Sequence, residues 1–534
     1  MNPLDLSAPE ERLLGRMLRR QAEQIPDAPF LLTETESLSF GEVNRRACAA
    51  AARFRALGVG AGDTVAFLME SGPEFAIAAF ALNKLGAIWV PTNTDYRGTW
   101  LQQGLADSHA RVLVVDGSLL PRLDGLDDLP FERLVVHGAP EGTSELPAEP
   151  LDAFFIGDAA EPDDTELHLG QTAAILFTSG TTGRAKGVMQ SHNVWIRGAE
   201  STLAQLELRP GDVAYNCLPM YQSAAWVGNI FLALTGGIPC AMDATFSASN
   251  FWDRLRRFDA TLTITLGAMH IFLWQAPPRS DDADNPLRAA LMVPMPDPIE
   301  EPFKQRFGIE QIIQAYGQSE AMPILRRTPG RKWKPNCLGE PVPGMEVRLL
   351  DEFDREVARG ETGEIAIRTD EPFTFFNGYF RNPAATAEAF RNLWHHTGDL
   401  ARQDEDGDWF FVDRKADYIR FKGRNISSFQ VEAAVAGHPE VVACAAHGVP
   451  CAELESEEEL KVVAVRAADS KLLAEQLATF IAENAPRFLV PRYIEFVDEL
   501  PMTPTQRVQK YKLRERGITA ETWDANASGF RPKR

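Results

Sequence analysis

Short β-branched or apolar runs recur along the first two thirds of this chain, and segments of helical length separate them. Thr64–Leu68, Ala87–Val90, Arg111–Val115, Arg133–Val136, Asp212–Leu218 and Thr261–Leu266 read as strands. Between them the apolar spacing lengthens. Ser39-Phe-Gly-Glu42 is a capping box; Val43, Ala47, Ala50, Phe54 and Leu57 then fall on one helical face, and Gly58 supplies the stop. Glu74–Leu85 reads as a second helix and Ile299–Phe307 as a charged one. Strands separated by helices predict an α/β protein whose sheets are covered by helices, with ligands bound in loops at the carboxyl ends of strands.

From about Glu340 the texture changes to short strands and turns: Glu346–Leu350, Glu364–Arg368 and Trp409–Val412. After about Ala416 a smaller α+β unit is predicted, with Lys471–Asn484 its clearest helix and Val462–Val465 and Tyr493–Val497 its strands. The expected organisation is thus a large, multi-subdomain N-terminal region, 1–415, and a smaller, mobile C-terminal lid, 416–534. A length of 534 residues accommodates about three folding units. The acidic stretches Glu161–Glu166 and Arg279–Pro286 read as solvated loops.

Charge narrows the function. The chain has 54 Lys and Arg against 75 Asp and Glu, a net charge of −21, so no general field attracts nucleic acid. A local nest of backbone N–H groups can still hold an anion. The cysteines, Cys48, Cys217, Cys240, Cys337, Cys444 and Cys451, form no C-x-x-C pair and have no accompanying His cluster. Reduced thiols in a cytoplasmic protein are expected, with no zinc site or disulfide framework. Met1–Glu11 lacks a basic and apolar leader, and the apolar stretch Phe75–Val90 is broken by Asn83 and Lys84, so neither a signal peptide nor an integral membrane segment is read.

The most informative segment is Ala174-Ile-Leu-Phe-Thr-Ser-Gly-Thr-Thr-Gly-Arg-Ala-Lys-Gly-Val188. An apolar strand runs into Thr178, Ser179, Gly180, Thr181, Thr182 and Gly183, whose small residues let the backbone turn N–H groups toward an anion. Four hydroxyls add donors, and Lys186 adds a mobile positive charge for phosphate oxygens. A Walker loop is excluded, because Lys186 is followed by Gly187 rather than Ser or Thr.

This segment resembles the signature of the adenylate-forming superfamily, which includes acyl-CoA synthetases, coumarate-CoA ligases, luciferases and peptide-synthetase adenylation domains. Ala185 stands where the family usually has Pro. The resemblance runs from about residue 10 to about 515. Tyr316-Gly-Gln-Ser-Glu320 matches the second family motif. There the resemblance implies Tyr316 against adenine, with Gly317 and Gln318 in the same turn, Ser319 near the α-phosphate and Glu320 on Mg²⁺. Trp394-His-His-Thr-Gly-Asp399 resembles the ribose motif, and Phe411-Val-Asp-Arg414 supplies the family arginine; Asp399 and Arg414 are both implied on the ribose. Gly378-Tyr379 and Pro383-Ala-Ala-Thr386 match a family stretch read as structural. Ala416 holds the family's hinge position, and Lys422, Gly423 and Arg424 are implied along the pantetheine tunnel of CoA.

Three departures matter. Thr505-Gln-Arg-Val508 stands where the family has Thr-Gly-Lys-Ile, so Arg507 takes the place of the catalytic lysine that bridges the carboxylate and the α-phosphate. It keeps the charge on a bulkier, planar fork, with Lys510 and Lys512 close by in sequence. Gln222 replaces a frequent His in Leu218–Trp226, where Tyr221, Gln222 and Trp226 are candidate acyl-pocket residues or packed core; Met269 and His270 stand at a second such segment. Leu291–Pro296 replaces a small-residue adenine loop.

The resemblance implies an AMP-forming acid–thiol ligase, closest in flavour to the carnitine/crotonobetaine-CoA ligase-like branch. It would use ATP, Mg²⁺ and CoA on a small-molecule carboxylic acid, in a setting such as fatty acid metabolism. The apolar candidates favour a medium, long or cyclic acyl chain, and a quaternary ammonium resting on Trp or Tyr faces stays open. A homodimer is compatible with this reading. Two alternatives stand beside it: transfer of the acyl group to a carrier protein or an amine, and an adenylation-impaired nucleotide-binding relative, suggested by Arg507.

Overall fold

The apolar runs assemble into two seven-stranded sheets. One carries, from edge to edge, Ala148–Pro150, Arg133–His137, Val112–Asp116, Thr64–Leu68, Ile88–Pro91, Thr172–Thr178 and Lys186–Ser191. Its neighbours are parallel until the last pair, where Lys186–Ser191 returns antiparallel to Thr172–Thr178. The other runs Gln311–Ile313, Ala289–Val293, Leu262–Leu266, Ala214–Asn216, Cys240–Met242, Pro29–Leu32 and Ser37–Ser39, parallel except for the closing hairpin. The predicted strands are present, displaced by a residue or two at their ends. The predicted cap is also present: Ser39 accepts the Glu42 N–H at 3.2 Å and opens the helix Phe40–Ala56.

This computed structural model describes residues 1–142, 144–178, 185–417, 419–421, 424–450, 458–485, 489–502 and 508–531. Both seven-stranded sheets belong to the first of two compact units, which comprises Met1–Thr178, Ala185–Glu346 and Arg368–Glu388. One buried cluster draws side chains from both sheets and from the helices Leu14–Gln24, Phe40–Ala56, Pro73–Lys84, His192–Leu206 and Phe231–Gly236. At its centre Trp89 lies between Trp195 and Trp226, with ring centroids 5.9 and 4.5 Å away, and Phe75 meets Trp89 and Trp226 edge-on. Among the described residues no helix is long and apolar enough to cross a membrane.

Pro73–Lys84 is buried at every residue except Glu74, because apolar neighbours surround it. Its last residue is a lysine only 3% exposed, and a buried ammonium needs a partner. Lys84 pairs with Glu161, which also accepts from Cys48 Sγ at 3.0 Å and Asn44 Nδ2 at 3.2 Å. Asp164, three residues on, takes Arg16 through both carboxylate oxygens, at 2.8 and 2.9 Å. Asp282 likewise pairs with Arg306 at 2.7 Å. The two acidic stretches read as solvated loops are therefore in part ion-paired anchors; spacing along the chain holds no record of partners 77 residues distant.

The second unit comprises Val347–Ile367 and Ala389–Arg534, so Ala416 lies inside it. It contains most of the strand Thr362–Thr369, paired antiparallel with Trp394–Gln403, which pairs in turn with Trp409–Arg414, and the ribbon Ile419–Phe421 with Arg424–Ile426. A four-stranded sheet follows in the order Val441–Pro450, Glu458–Arg466, Tyr493–Val497 and Trp523–Asp524. The helices Ser428–Ala436 and Ala474–Asn484 pack on it around their own core, as the α+β texture predicts.

Glu161→Ala should cost about 3 kcal/mol, because it leaves a buried ammonium without its carboxylate. Lys84→Met in that background should recover much of the loss. Denaturant unfolding of the parent, both single variants and the double variant measures this coupling.

Candidate active site

Strand Thr172–Thr178 ends where the phosphate-type loop begins. Ser179, Gly180, Thr181, Thr182 and Gly183 lie outside the described residues, but the loop's two ends are defined. Thr178 and Lys186 are register partners, and the Thr178 hydroxyl donates to the Lys186 carbonyl at 3.4 Å. The antiparallel return thus places Lys186 at the carboxyl end of a parallel strand, the edge where such sheets bind ligands.

The outer edge of Lys186–Ser191 is covered by a segment that sequence reading treated as structural. Asn377 N–H donates to Met189 O at 2.7 Å, Met189 N–H to Gly378 O at 3.1 Å, and Phe380 N–H to Gly187 O at 2.7 Å. Gly378 has φ +107°, and a Cβ there would stand 2.9 Å from the Thr386 methyl, so the turn requires glycine. The Thr386 hydroxyl in turn accepts the Tyr379 N–H at 2.9 Å. These bonds place the Tyr379 ring beneath Lys186, with Nζ 4.9 Å from the ring centroid.

Tyr316–Glu320 forms one arm and the turn of a hairpin, Ala315–Gln318 pairing with Ala321–Arg326. Bonds from the lysine strand and the 376–379 segment hold the turn: Gln190 Nε2 donates to Ser319 O at 2.7 Å, Phe376 N–H to Glu320 O at 2.8 Å, and the Tyr379 hydroxyl to Glu320 Oε1 at 2.9 Å. Lys186 and Glu320, 134 positions apart by number, thus meet on opposite ends of one tyrosine. Burial and the Glu320 charge push the Tyr379 phenol well above its ordinary range, so it remains a neutral donor. Gln190 and Tyr379 are the residues that sequence reading missed here. The only signal was Gln190 lying four residues after Lys186, on the same side of a strand.

In the second unit Asp399 and Arg414 are register partners on adjacent strands, with Arg414 Nε 3.4 Å from Asp399 Oδ1. Glu364, which sequence reading left unassigned, braces this turn: Oε1 accepts the Gly398 N–H at 3.1 Å and Oε2 accepts Lys415 Nζ at 2.9 Å. Its signal is a carboxylate in the otherwise apolar run Gly363-Glu-Ile-Ala-Ile367. Lys422, Gly423 and Arg507 lie outside the described residues, as do the side chains of Ala416 and Arg424. Lys510 is committed elsewhere: its ammonium reaches Glu432 at 2.7 Å and the Ser428 hydroxyl at 2.5 Å. In this arrangement it is not available to stand in for the family lysine.

The acyl-pocket candidates divide by burial. Tyr221, Gln222 and Met269 are half-buried. Trp226 is fully buried; it opens a π-helical turn, Trp226–Ile230, and donates to Met220 O at 2.7 Å. His270 is fully buried and reaches Pro294 O through Nε2 at 2.8 Å and the Thr265 hydroxyl through Nδ1 at 3.1 Å. The carbonyl can only accept, which puts the proton on Nε2. The Ser71 hydroxyl holds the segment before Tyr221, accepting Met220 N–H at 2.9 Å and donating to Leu218 O at 3.3 Å.

The family model for AMP-binding enzymes matches residues 18–380, and that for the AMP-binding enzyme C-terminal domain matches residues 430–507. The chain belongs to the AMP-binding enzyme family. A crotonobetaine/carnitine–CoA ligase from Salmonella arizonae is 31% identical over 498 residues, covering 90% of this chain and 94% of the relative. One from Escherichia coli O1:K1 / APEC is 29% identical, covering 89% and 93%. Among solved structures, the anthranilate CoA ligase AuaEII in complex with anthranoyl-AMP superposes with a TM-score of 0.81 at 26% identity, covering 94% of this chain and 97% of that one. ATP-bound MatB from Rhodopseudomonas palustris gives 0.82 at 25%, covering 94% and 98%. This AMP-binding enzyme is an acyl-CoA ligase, an AMP-forming acid–thiol ligase, as the resemblance implied; its relatives support CoA as acceptor rather than a carrier protein or an amine.

The Ser319–Glu320 turn of this AMP-binding enzyme presents a hard carboxylate, the donor type that suits a magnesium ion. Mg²⁺ is commonly held in that way, by one or two carboxylates plus substrate phosphates.

Glu364 gives the enzyme a testable pH signature. Burial alone would push its carboxyl up, but the bonds from His396 and Lys415 and their charges outweigh that and hold it at about 2. The stability it contributes is complete above the ordinary glutamate value near 4.5 and is lost as the pH falls toward about 2. Glu364→Gln should destabilise by roughly 2 kcal/mol at neutral pH. The gap between its urea midpoint and the parent's should narrow as the pH is lowered below 4.5.

Proposed function

We propose that the first unit handles the phosphates of ATP through Lys186 and Glu320, and that the second handles the ribose through Asp399 and Arg414. The supporting observation is the convergence of Lys186 and Glu320 on Tyr379. The N–H groups and hydroxyls of Thr178–Gly183 and the Lys186 ammonium bind the phosphate oxygens. Tyr316 stacks on adenine, with Gly317 and Gln318 in its turn, and the Ser319 hydroxyl meets the α-phosphate. Glu320 binds Mg²⁺, which when present neutralises phosphate charge. Asp399 accepts from the ribose hydroxyls, and Arg414 lies beside it.

A carboxylate oxygen of the acid then attacks the α-phosphorus, and pyrophosphate leaves. The CoA thiolate attacks the acyl carbon of the resulting anhydride, and AMP leaves. Each step spreads negative charge, so the protein contributes positioning and fixed positive charge. Arg507 supplies that charge where the acid meets the α-phosphate. Ala416 is the hinge from which residues 416–534 act as a lid, and Lys422, Gly423 and Arg424 line the path of the pantetheine arm.

The acid rests against Tyr221, Gln222 and Met269, with Trp226 and His270 fixing that wall from behind. These side chains favour a medium, long or cyclic acyl group; a quaternary ammonium would have to rest on the Tyr221 face, because the Trp226 ring is packed against Trp89 and Phe231 in the core. The described cysteines are all free, which fits a reducing, cytoplasmic setting.

Mass spectrometry of the products formed from ATP, Mg²⁺ and a panel of straight-chain, aromatic and betaine acids, with and without CoA, tests the substrate class. Apolar acids should give acyl-AMP without CoA and acyl-CoA with it; best turnover of the betaine would reverse the assignment. Glu320→Gln should lower acyl-AMP formation by about 10²-fold. Arg507→Lys should change the same half-reaction more than threefold, in either direction; a smaller change removes Arg507 from the mechanism.

A further inference from the structure

We propose that Tyr379 is a positioning residue that couples the phosphate-binding lysine to the metal-binding carboxylate. This rests on the roles proposed above for Lys186 and Glu320. The tyrosine touches both, by different chemistry at its two ends. Its hydroxyl donates to Glu320 Oε1 at 2.9 Å, and its ring face lies 4.9 Å from Lys186 Nζ, inside the range of a cation–π contact. One carboxylate oxygen therefore has a fixed donor, which sets the plane of the group and the direction in which it can offer electrons to a cation.

The tyrosine can do this because it is itself held firmly. Its own N–H is bonded to Thr386 Oγ1, and the residues before and after it are bonded to Met189 and Gly187 on the strand that carries Lys186. Its ring also packs edge-on against Phe376, with centroids 4.8 Å apart, and Phe376 N–H holds the Glu320 carbonyl. A shift of the lysine strand is thus transmitted through Tyr379 to the Glu320 turn. Both contacts are made by one neutral side chain, so the tyrosine orients the ammonium and the carboxylate without adding a charge of its own.

The two ends can be tested separately. Tyr379→Phe removes the hydroxyl and keeps the ring; Tyr379→Leu removes both. Calorimetric binding of ATP to the full chain, without any carboxylic acid and at graded Mg²⁺, reads the effect without turnover. Tyr379→Phe should raise the Mg²⁺ concentration for half-maximal ATP affinity by about tenfold, the loss of one hydrogen bond to a charged group, while leaving metal-free ATP affinity within twofold. Tyr379→Leu should weaken metal-free ATP binding as well. Circular dichroism and the thermal midpoint check that each variant is folded, and the near-isosteric Tyr379→Phe carries the test if Tyr379→Leu is not. An unchanged Mg²⁺ dependence in Tyr379→Phe, or identical losses in both variants, overturns the coupling. Glu320→Gln and Lys186→Ala measured alongside separate the two ideas. If they alter ATP binding and Tyr379→Phe does not, only the coupling fails; if neither alters it, the roles of Lys186 and Glu320 fail, and the coupling with them.

Discussion

The antiparallel pairing of Lys186–Ser191 with Thr172–Thr178 is the contact on which the candidate site depends. Parallel strands leave a sheet at its carboxyl edge and return by a helix to the opposite edge. Here the chain turns straight back, so both ends of the Thr178–Lys186 segment stay on the carboxyl edge, stapled by a register pair. The reversal also leaves an outer strand edge, and that edge receives Asn377–Phe380. Lys186, Gln190 and Tyr379 all owe their positions to this one strand, and through the last two it holds the Ser319–Glu320 turn.

Polar contacts that brace the site are at least partly withdrawn from solvent, and each is completed by backbone. Gln190 supports the Ser319 carbonyl, His270 the Pro294 carbonyl, Ser71 the Met220 N–H and Glu364 the Gly398 N–H. None of these four need touch a substrate. Each fixes a loop next to a residue proposed to do so, and the low local dielectric makes the bond stiffer than it would be in water. The same economy appears in the core, where Lys84 and Glu161 bind a loop to the central helix.

Much of this was legible along the chain. The strand and helix pattern of the first unit, the Ser39 cap, the strand Tyr493–Val497 and the α+β texture after Ala416 follow from local periodicity and capping chemistry, which act over a few residues. The pairing of Asp399 with Arg414 was legible only as a shared role. Glu364, Gln190 and Tyr379 were not read as site residues, because their partners are remote in sequence and the local signals, a carboxylate in an apolar run and a glutamine four residues after Lys186, do not say what they touch. The loops at 161–166 and 279–286 misled for the same reason: acidic residues look solvated until an arginine or lysine from another element reaches them.

By itself the sequence determined the kind of protein this is. A Thr/Ser/Gly loop between a strand and a lysine, a carboxylate after Tyr316-Gly-Gln-Ser and an aspartate after Thr397-Gly398 stand in the order of the family's motifs, and it is that resemblance, carried by short local segments, that implies nucleotide activation. Tertiary structure alone decided which groups act on one another. It set Tyr379 between Lys186 and Glu320, withdrew Lys510 into a pair with Glu432, and decided for full burial of Trp226 and His270, which the sequence left open between pocket and core. Those outcomes depend on distances of a few ångströms between segments far apart in the chain, and such distances are fixed by packing rather than by order.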